Sequence, residues 1–198
     1  MHACFDVRRT QIPRISVCTQ TPYPGGLMSK LDEPLSDSKV RQALGDATRV
    51  LKYSELKNYE TINDLLPKIN DFVIILLEED VNRGHWTALM KPSSGYYYFN
   101  SYGTKYDTDI SVIPLCIRRI LHEDKREITR LLDGHPCEWN RTKLQGEKSQ
   151  ACGCWCVLCI TMCCLMGYAP AEFIEFIKDK AKLLNKSYDQ LAVLFVNI

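Results

Sequence analysis

The sequence predicts an α+β fold, a central mixed or antiparallel sheet with flanking helices, and three observations carry that expectation. The first is the run from Phe72 to Leu77, FVIILL, bounded by Asn70-Asp71 and Glu78-Glu79. It is continuous, short and partly β-branched, which suits a buried central strand better than a helix. The second is a pair of strand-like runs that follow it, His85 to Met90 and Tyr96 to Ser101, joined through Lys91, Pro92, Ser93, Ser94 and Gly95. So short a link predicts antiparallel pairing. The third is helical spacing on both sides of these strands, segregated from them rather than alternating with them one for one. At 198 residues, 45% hydrophobic and 25% charged, the chain 1–198 reads as a single soluble globular domain with a sizeable core.

Taken in order, residues 1–35 hold Pro13, Pro22, Pro24, Gly25, Gly26 and Pro34, which predicts an irregular or extended arm. Ser36, Asp37 and Ser38 offer a helix N-cap, with Val40, Leu44, Ala47 and Leu51 following at helical spacing. A short helix is expected over Ile62 to Leu66, stopped by Pro67. After the three strands the pattern turns helical between Ile110 and Leu132, with Cys116, Ile120, Ile128 and Leu131 on or near one face, until Gly134 and Pro136 break it. A short strand is expected from Arg141 to Gln145, then a cysteine-rich helix, then a helix opened by Pro170 and running to about Leu184. The apolar tail from Leu191 to Val196 fits either state.

Composition excludes several classes. A formal net charge of +1 gives no broad reason to expect nucleic acid or a membrane surface. The Lys and Arg residues between Arg118 and Lys148 interleave with Glu123, Asp124, Glu127, Asp133, Glu138 and Glu147, as on a solvated mixed face. Six of the ten cysteines crowd between Cys152 and Cys164, a placement that cannot staple loops together. The start, MHACFDVRR, lacks the apolar stretch of a secretory signal, and the uncharged run from Cys154 to Met166 is shorter than the roughly 20 residues that span a bilayer. A reducing, intracellular setting is expected, in which the sequons at Asn140 and Asn185 are chance matches.

The stretch from Gln145 to Gly167 carries the chemistry. It delivers Cys152 from a polar turn to the first turn of an apolar helix, where unpaired amides and the macrodipole favour a thiolate and can bring a thiol to roughly 3.5–7.5. Cys152 is therefore the candidate nucleophile. Cys156, Cys159 and Cys163 share its helical stripe and read as packing residues, as do Cys154 and Cys164 off that stripe. Gln145 can donate to an oxyanion, and Gly153 permits close approach of a backbone or substrate. Among the histidines His2, His85, His122 and His135, only His85 begins a strand beside a buried one. The next strand brings Asn100 toward it, an amide that can accept from a ring nitrogen.

The order of these elements, Gly84-His85-Trp86, then Tyr98 to Gly103 around Asn100, then Gln145-Gly146 and Ala151-Cys152-Gly153, resembles the motifs of the adenovirus-type (adenain-like) maturation protease within the Ulp1-like cysteine proteases. The likeness spans Phe72 to about Gly167, and such proteases are also found in virophages and Polinton-like elements. It implies that His85 is the general base and acid, Asn100 its orienter, Gln145 the oxyanion donor and Cys152 the nucleophile of a peptidase, with Trp86 and Gly153 at the substrate. The family's third residue is usually Asp or Glu, so the neutral Asn100 is a departure. Replacing it by Asp is expected to keep considerable activity and to raise the pKa of His85. The resemblance further implies virion precursor proteins as substrates, cleaved near small residues, and action in host cytoplasm or viral factory and inside the virion. It implies no required cofactor or metal, and activation by a peptide, with Cys137 as its thiol contact, or by DNA. Alternatives on the same residues are a protease for a ubiquitin-like modifier, a Cys-dependent acetyltransferase and a metal-binding module on Cys152, Cys154 and Cys156. Gly25-Gly26 is either a loop-forming pair or a self-cleavage site.

Overall fold

The computed structural model describes residues 33–196. The expected arm over 1–35, with His2 and Gly25-Gly26, lies almost wholly outside the described residues. The fold is α+β, with a five-stranded mixed sheet in the order β1-β2-β3-β4-β5 and helices on both faces.

Ser36 caps helix α1 (Asp37–Leu44) by accepting from Lys39 N–H at 3.3 Å. The helix stops at Gly45, whose φ of +101° suits glycine and whose N–H returns to Arg41 O at 2.8 Å. Leu51, expected on the same helical stripe, instead lies in strand β1 (Val50–Lys52), parallel to β2. A 3₁₀ turn (Tyr53–Asn58) and α2 (Ile62–Leu65) then cross to β2 (Phe72–Asp80). Buried from Val73 to Glu78, β2 is the central strand that its apolar run predicts. It pairs antiparallel with β3 (Arg83–Met90), and β3 with β4 (Tyr96–Phe99), in the expected hairpin.

The helical reading of 110–132 is corrected. A 3₁₀ turn (Asp109–Val112), α3 (Leu115–Ile120) and α4 (Glu127–Leu132) replace one continuous pattern. Pro114 separates the first two and His122, at φ +58°, turns the chain after the second. Ile128 and Leu131 face the core, whereas Ile120 is 75% exposed and Cys116 is exposed, so the four do not share a face. The strand expected at Arg141 to Gln145 is also corrected: strand β5 is Cys137–Trp139, parallel to β4, and 141–145 is irregular.

Helix α5 (Cys152–Ile160) continues into a π-helical turn (Thr161–Leu165) and is buried all round, between the sheet and helices α1, α6 (Pro170–Leu184) and α7 (Tyr188–Val196). Cysteines 152, 154, 156, 159, 163 and 164 are all buried there, as packing residues are, and the eight described cysteines are free thiols. The opposite face of the sheet buries Tyr53, Leu56, Ile62, Leu65, Ile128 and Leu131. No described helix is long and apolar enough to cross a membrane.

Candidate active site

The site is built where β3 outlasts one of its neighbours. β2 accompanies β3 along its length, but β4 pairs only with Ala88, Leu89 and Met90 and ends at Phe99. The β3 backbone at Trp86 therefore has a free edge, and the start of α5 fills it. Cys156 Sγ donates to Trp86 O at 3.4 Å, and the Trp86 N–H faces the Cys152 sulfur. Just before His85, Gly84 lets β2 pass at very close range, since a Cβ there would sit 1.8 Å from Leu77 O. The register of the hairpin shifts at this point, between Glu78 and Asp80.

His85 is buried, stacks on Tyr102 with ring centroids 4.6 Å apart, and its Nε2 is 2.9 Å from Asn100 Oδ1. Asn100 is fully buried and held from every side. Its N–H donates to Asn140 Oδ1 at 2.8 Å, and Asn140 Nδ2 donates back to Asn100 O at 2.6 Å. The Asn100 Oδ1 also accepts from Tyr102 N–H at 2.9 Å, while its Nδ2 donates to Thr104 Oγ1 at 2.7 Å and to Asp109 Oδ2. Gly103, at φ +77°, closes this turn by donating to Asn100 O at 2.8 Å.

Gln145, 2% exposed, is fixed with equal care. Its carbonyl accepts from Ser101 Oγ at 2.6 Å and its Nε2 donates to Ser149 O at 2.6 Å, which leaves the second amide hydrogen uncommitted. Its backbone N–H donates to Ser101 O at 3.0 Å, so Asn100 and Gln145 are anchored through adjacent residues. From α7, Asp189 accepts from Gly146 N–H at 2.9 Å and from Trp155 Nε1 at 3.0 Å, tying the Gln145-Gly146 turn to the cysteine helix. Trp86 packs in the core at 8% exposure and donates from Nε1 to Leu35 O at 2.9 Å. The close approach at Gly153 is made by Leu35, whose Cβ lies 2.6 Å from where a Gly153 Cβ would be.

The electrostatics run opposite to the lowered thiol pKa that the helix position predicts. Burial pushes the Cys152 thiol up, and this outweighs the amides of Trp86, Gly153 and Cys152 that draw it down. Burial likewise pushes the His85 imidazole down, against the Asn100 hydrogen bond and the charges of Asp109 and Glu79. Burial thus works against the charged form of both groups.

Of the other histidines, His122 and His135 are exposed and away from these partners. Cys137 lies half-buried on the edge strand β5, where burial pushes its thiol up to about 12. Asn140 is 3% exposed with both ends of its amide engaged, so its sequon offers no accessible acceptor. Among the described residues no three His, Cys, Asp or Glu side chains are grouped to hold a metal. Sequence reasoning missed Asp109, Asn140 and Asp189. Asn140 had been visible only as a sequon, and nothing local marks the other two.

No known protein-family profile matches the chain. It is 30% identical over 165 residues to the "Uncharacterized protein V9" of Sputnik virophage, an alignment covering 81% of this chain and 92% of that one. Identity at that level across most of both chains is common descent, and the protein belongs to the same viral family as this virophage protein.

Proposed function

We propose that the chain is a viral cysteine endopeptidase, with the Ulp1-like architecture of the adenovirus-type maturation proteases, that cleaves virion precursor proteins. The observation that carries this reading is the 2.9 Å contact between His85 Nε2 and an Asn100 amide that has no freedom to turn, at the strand edge against which the start of the Cys152 helix docks. The Asn100 carbonyl accepts, so Nε2 carries the hydrogen and Nδ1 is the basic nitrogen.

In the mechanism, Cys152 sulfur attacks the peptide carbonyl as its proton passes to His85 Nδ1. The new C–S bond places negative charge on the carbonyl oxygen, to which the uncommitted hydrogen of Gln145 Nε2 donates. When the C–N bond breaks, His85 returns the proton to the leaving amine, and water then hydrolyses the acyl-enzyme with His85 again as base. Peptide or DNA activation belongs to the same reading, though a thiol pushed up to about 12 makes Cys137 a slow partner in disulfide exchange.

The test is labelling by an electrophilic peptide probe, with the adduct located by mass spectrometry, beside turnover on virion precursors and on ubiquitin-like conjugates. The adduct is expected on Cys152, with turnover abolished in Cys152→Ala and retained in folded Cys154→Ala. Gln145→Ala should cost on the order of 10²–10³ in kcat. Turnover that survives in folded Cys152→Ala refutes the assignment, and cleavage confined to the conjugates moves the substrate to a modifier.

A further inference from the structure

We propose that Asp109 is a positioning residue of this site, holding the Asn100 amide in the single orientation that presents its carbonyl to His85 and setting a negative charge one side chain behind the imidazole. The proposal rests on the reading of His85 as the base and goes beyond it, to what decides which nitrogen is basic.

An asparagine amide can sit either way round, and its neighbours decide which. Around Asn100, the Thr104 hydroxyl accepts or donates and so gives no direction. The two neighbours that give direction are the Tyr102 N–H, which only donates, and the Asp109 carboxylate, which only accepts. Turning the amide over would set donor against donor at Tyr102 and acceptor against acceptor at Asp109. Of these two constraints the one to Asp109 is charge-assisted, and such hydrogen bonds are about twice as strong as neutral ones. With the carbonyl so fixed, a neutral His85 must keep its hydrogen on Nε2, which leaves Nδ1 to take the thiol proton.

The charges that face His85 are Asp109, from the 3₁₀ turn Asp109–Val112, and Glu79, near the end of β2; Cys152 and Tyr102 complete the titratable groups around the site. Of the two carboxylates, only Asp109 touches Asn100. It therefore supplies, at one remove, the negative charge that a neutral third residue lacks.

The experiment reads the ring directly. Long-range proton–nitrogen correlation spectra of the imidazoles, with His85 assigned by its loss in His85→Gln, report tautomer and titration without any substrate. The wild type is expected to show one tautomer, with hydrogen on Nε2. Asp109→Asn, which can still accept from Asn100 through its own carbonyl, should keep the tautomer and titrate at lower pH. Asp109→Ala should mix the tautomers and titrate at least as low. In peptide cleavage, Asp109→Asn should lower kcat/KM on the order of tenfold, about the weight of one charge-assisted hydrogen bond. The acid limb of its pH profile should move down with the ring titration. Thermal unfolding confirms that each variant is folded. Identical tautomer and titration in wild type and both variants would overturn the role of Asp109 even in an active peptidase. The expected spectra in a protein that cleaves nothing would uphold it while removing the peptidase.

Discussion

Asn100→Asp is the substitution for which sequence and structure give different answers. From the sequence it looks conservative, a change to the acidic residue usual in the adenovirus-type proteases that the motifs resemble, and it should raise the pKa of His85. In the structure, Asn100 Nδ2 donates to Asp109 Oδ2 and to Thr104 Oγ1, so the substitution sets a second carboxylate directly against the first. Two like charges about 3 Å apart at an effective dielectric near 20 repel by roughly 5–6 kcal/mol. Protonating one ordinary carboxyl at pH 7 costs about 4 kcal/mol, three pH units at about 1.4 each. Proton uptake is the cheaper course, and burial favours it further, so the pair shares one proton and keeps a single negative charge. The His85 titration should then barely move, activity should survive in the folded protein, and the cost should appear as stability, up to about 4 kcal/mol at pH 7. The folded state holds the extra proton and the unfolded state does not, so stability should recover by about 1.4 kcal/mol for each pH unit lowered between 7 and 5. Denaturant unfolding at pH 5, 6 and 7 measures this, and the exchanged pair Asn100→Asp with Asp109→Asn, which restores one donor facing one carboxylate, should remove the slope. A single variant as stable as wild type at pH 7, or one with no pH slope, would refute the reasoning.

Glu123 predicts a second pH dependence. It is fully buried, its Oε2 has no hydrogen-bond partner among the described residues, and burial first, then the neighbouring Glu78, pushes it up to about 7. Because the folded state keeps this proton up to a higher pH than the unfolded state does, stability should rise as pH falls from about 7 toward 4.5, and be lost on the way back. Glu123→Gln, followed by thermal unfolding across that window, should flatten the dependence; an unchanged slope would place its origin elsewhere. Gly84→Ala should destabilise by more than the 1–3 kcal/mol usual for overpacking, since its methyl would sit 1.8 Å from Leu77 O and 2.9 Å from Glu78 Cα. Denaturant unfolding reads the loss, and a variant as stable as wild type would show that β2 and β3 need not approach so closely there.

What could be read from the sequence was what local pattern determines. The run from Phe72 to Leu77 announces β2 because burial on both faces removes alternation, and the short link from Lys91 to Gly95 forces β3 and β4 into a hairpin. That hairpin places His85 beside Asn100, which is why the pair was legible at all. Ser36 and Pro170 mark their helices through capping geometry, again a property of neighbours in sequence. The failures are non-local. β1 and β5 are three residues each, and both exist only because parallel pairing at the sheet edges satisfies their backbones. Asp109, Asn140 and Asp189 act on residues 9, 40 and 43 positions away, through contacts that no periodicity encodes. The thiol is the sharpest case. A cysteine opening a helix promises a lowered pKa, and its amides do pull that way, but the helix begins inside the core and desolvation is the larger effect. Sequence placed Cys152 at a helix start and predicted the opposite direction for its pKa, because helix position is local and burial is not. The same burial works against charge on both Cys152 and His85, while the orientation of the ring is held by Asn100 and the groups behind it.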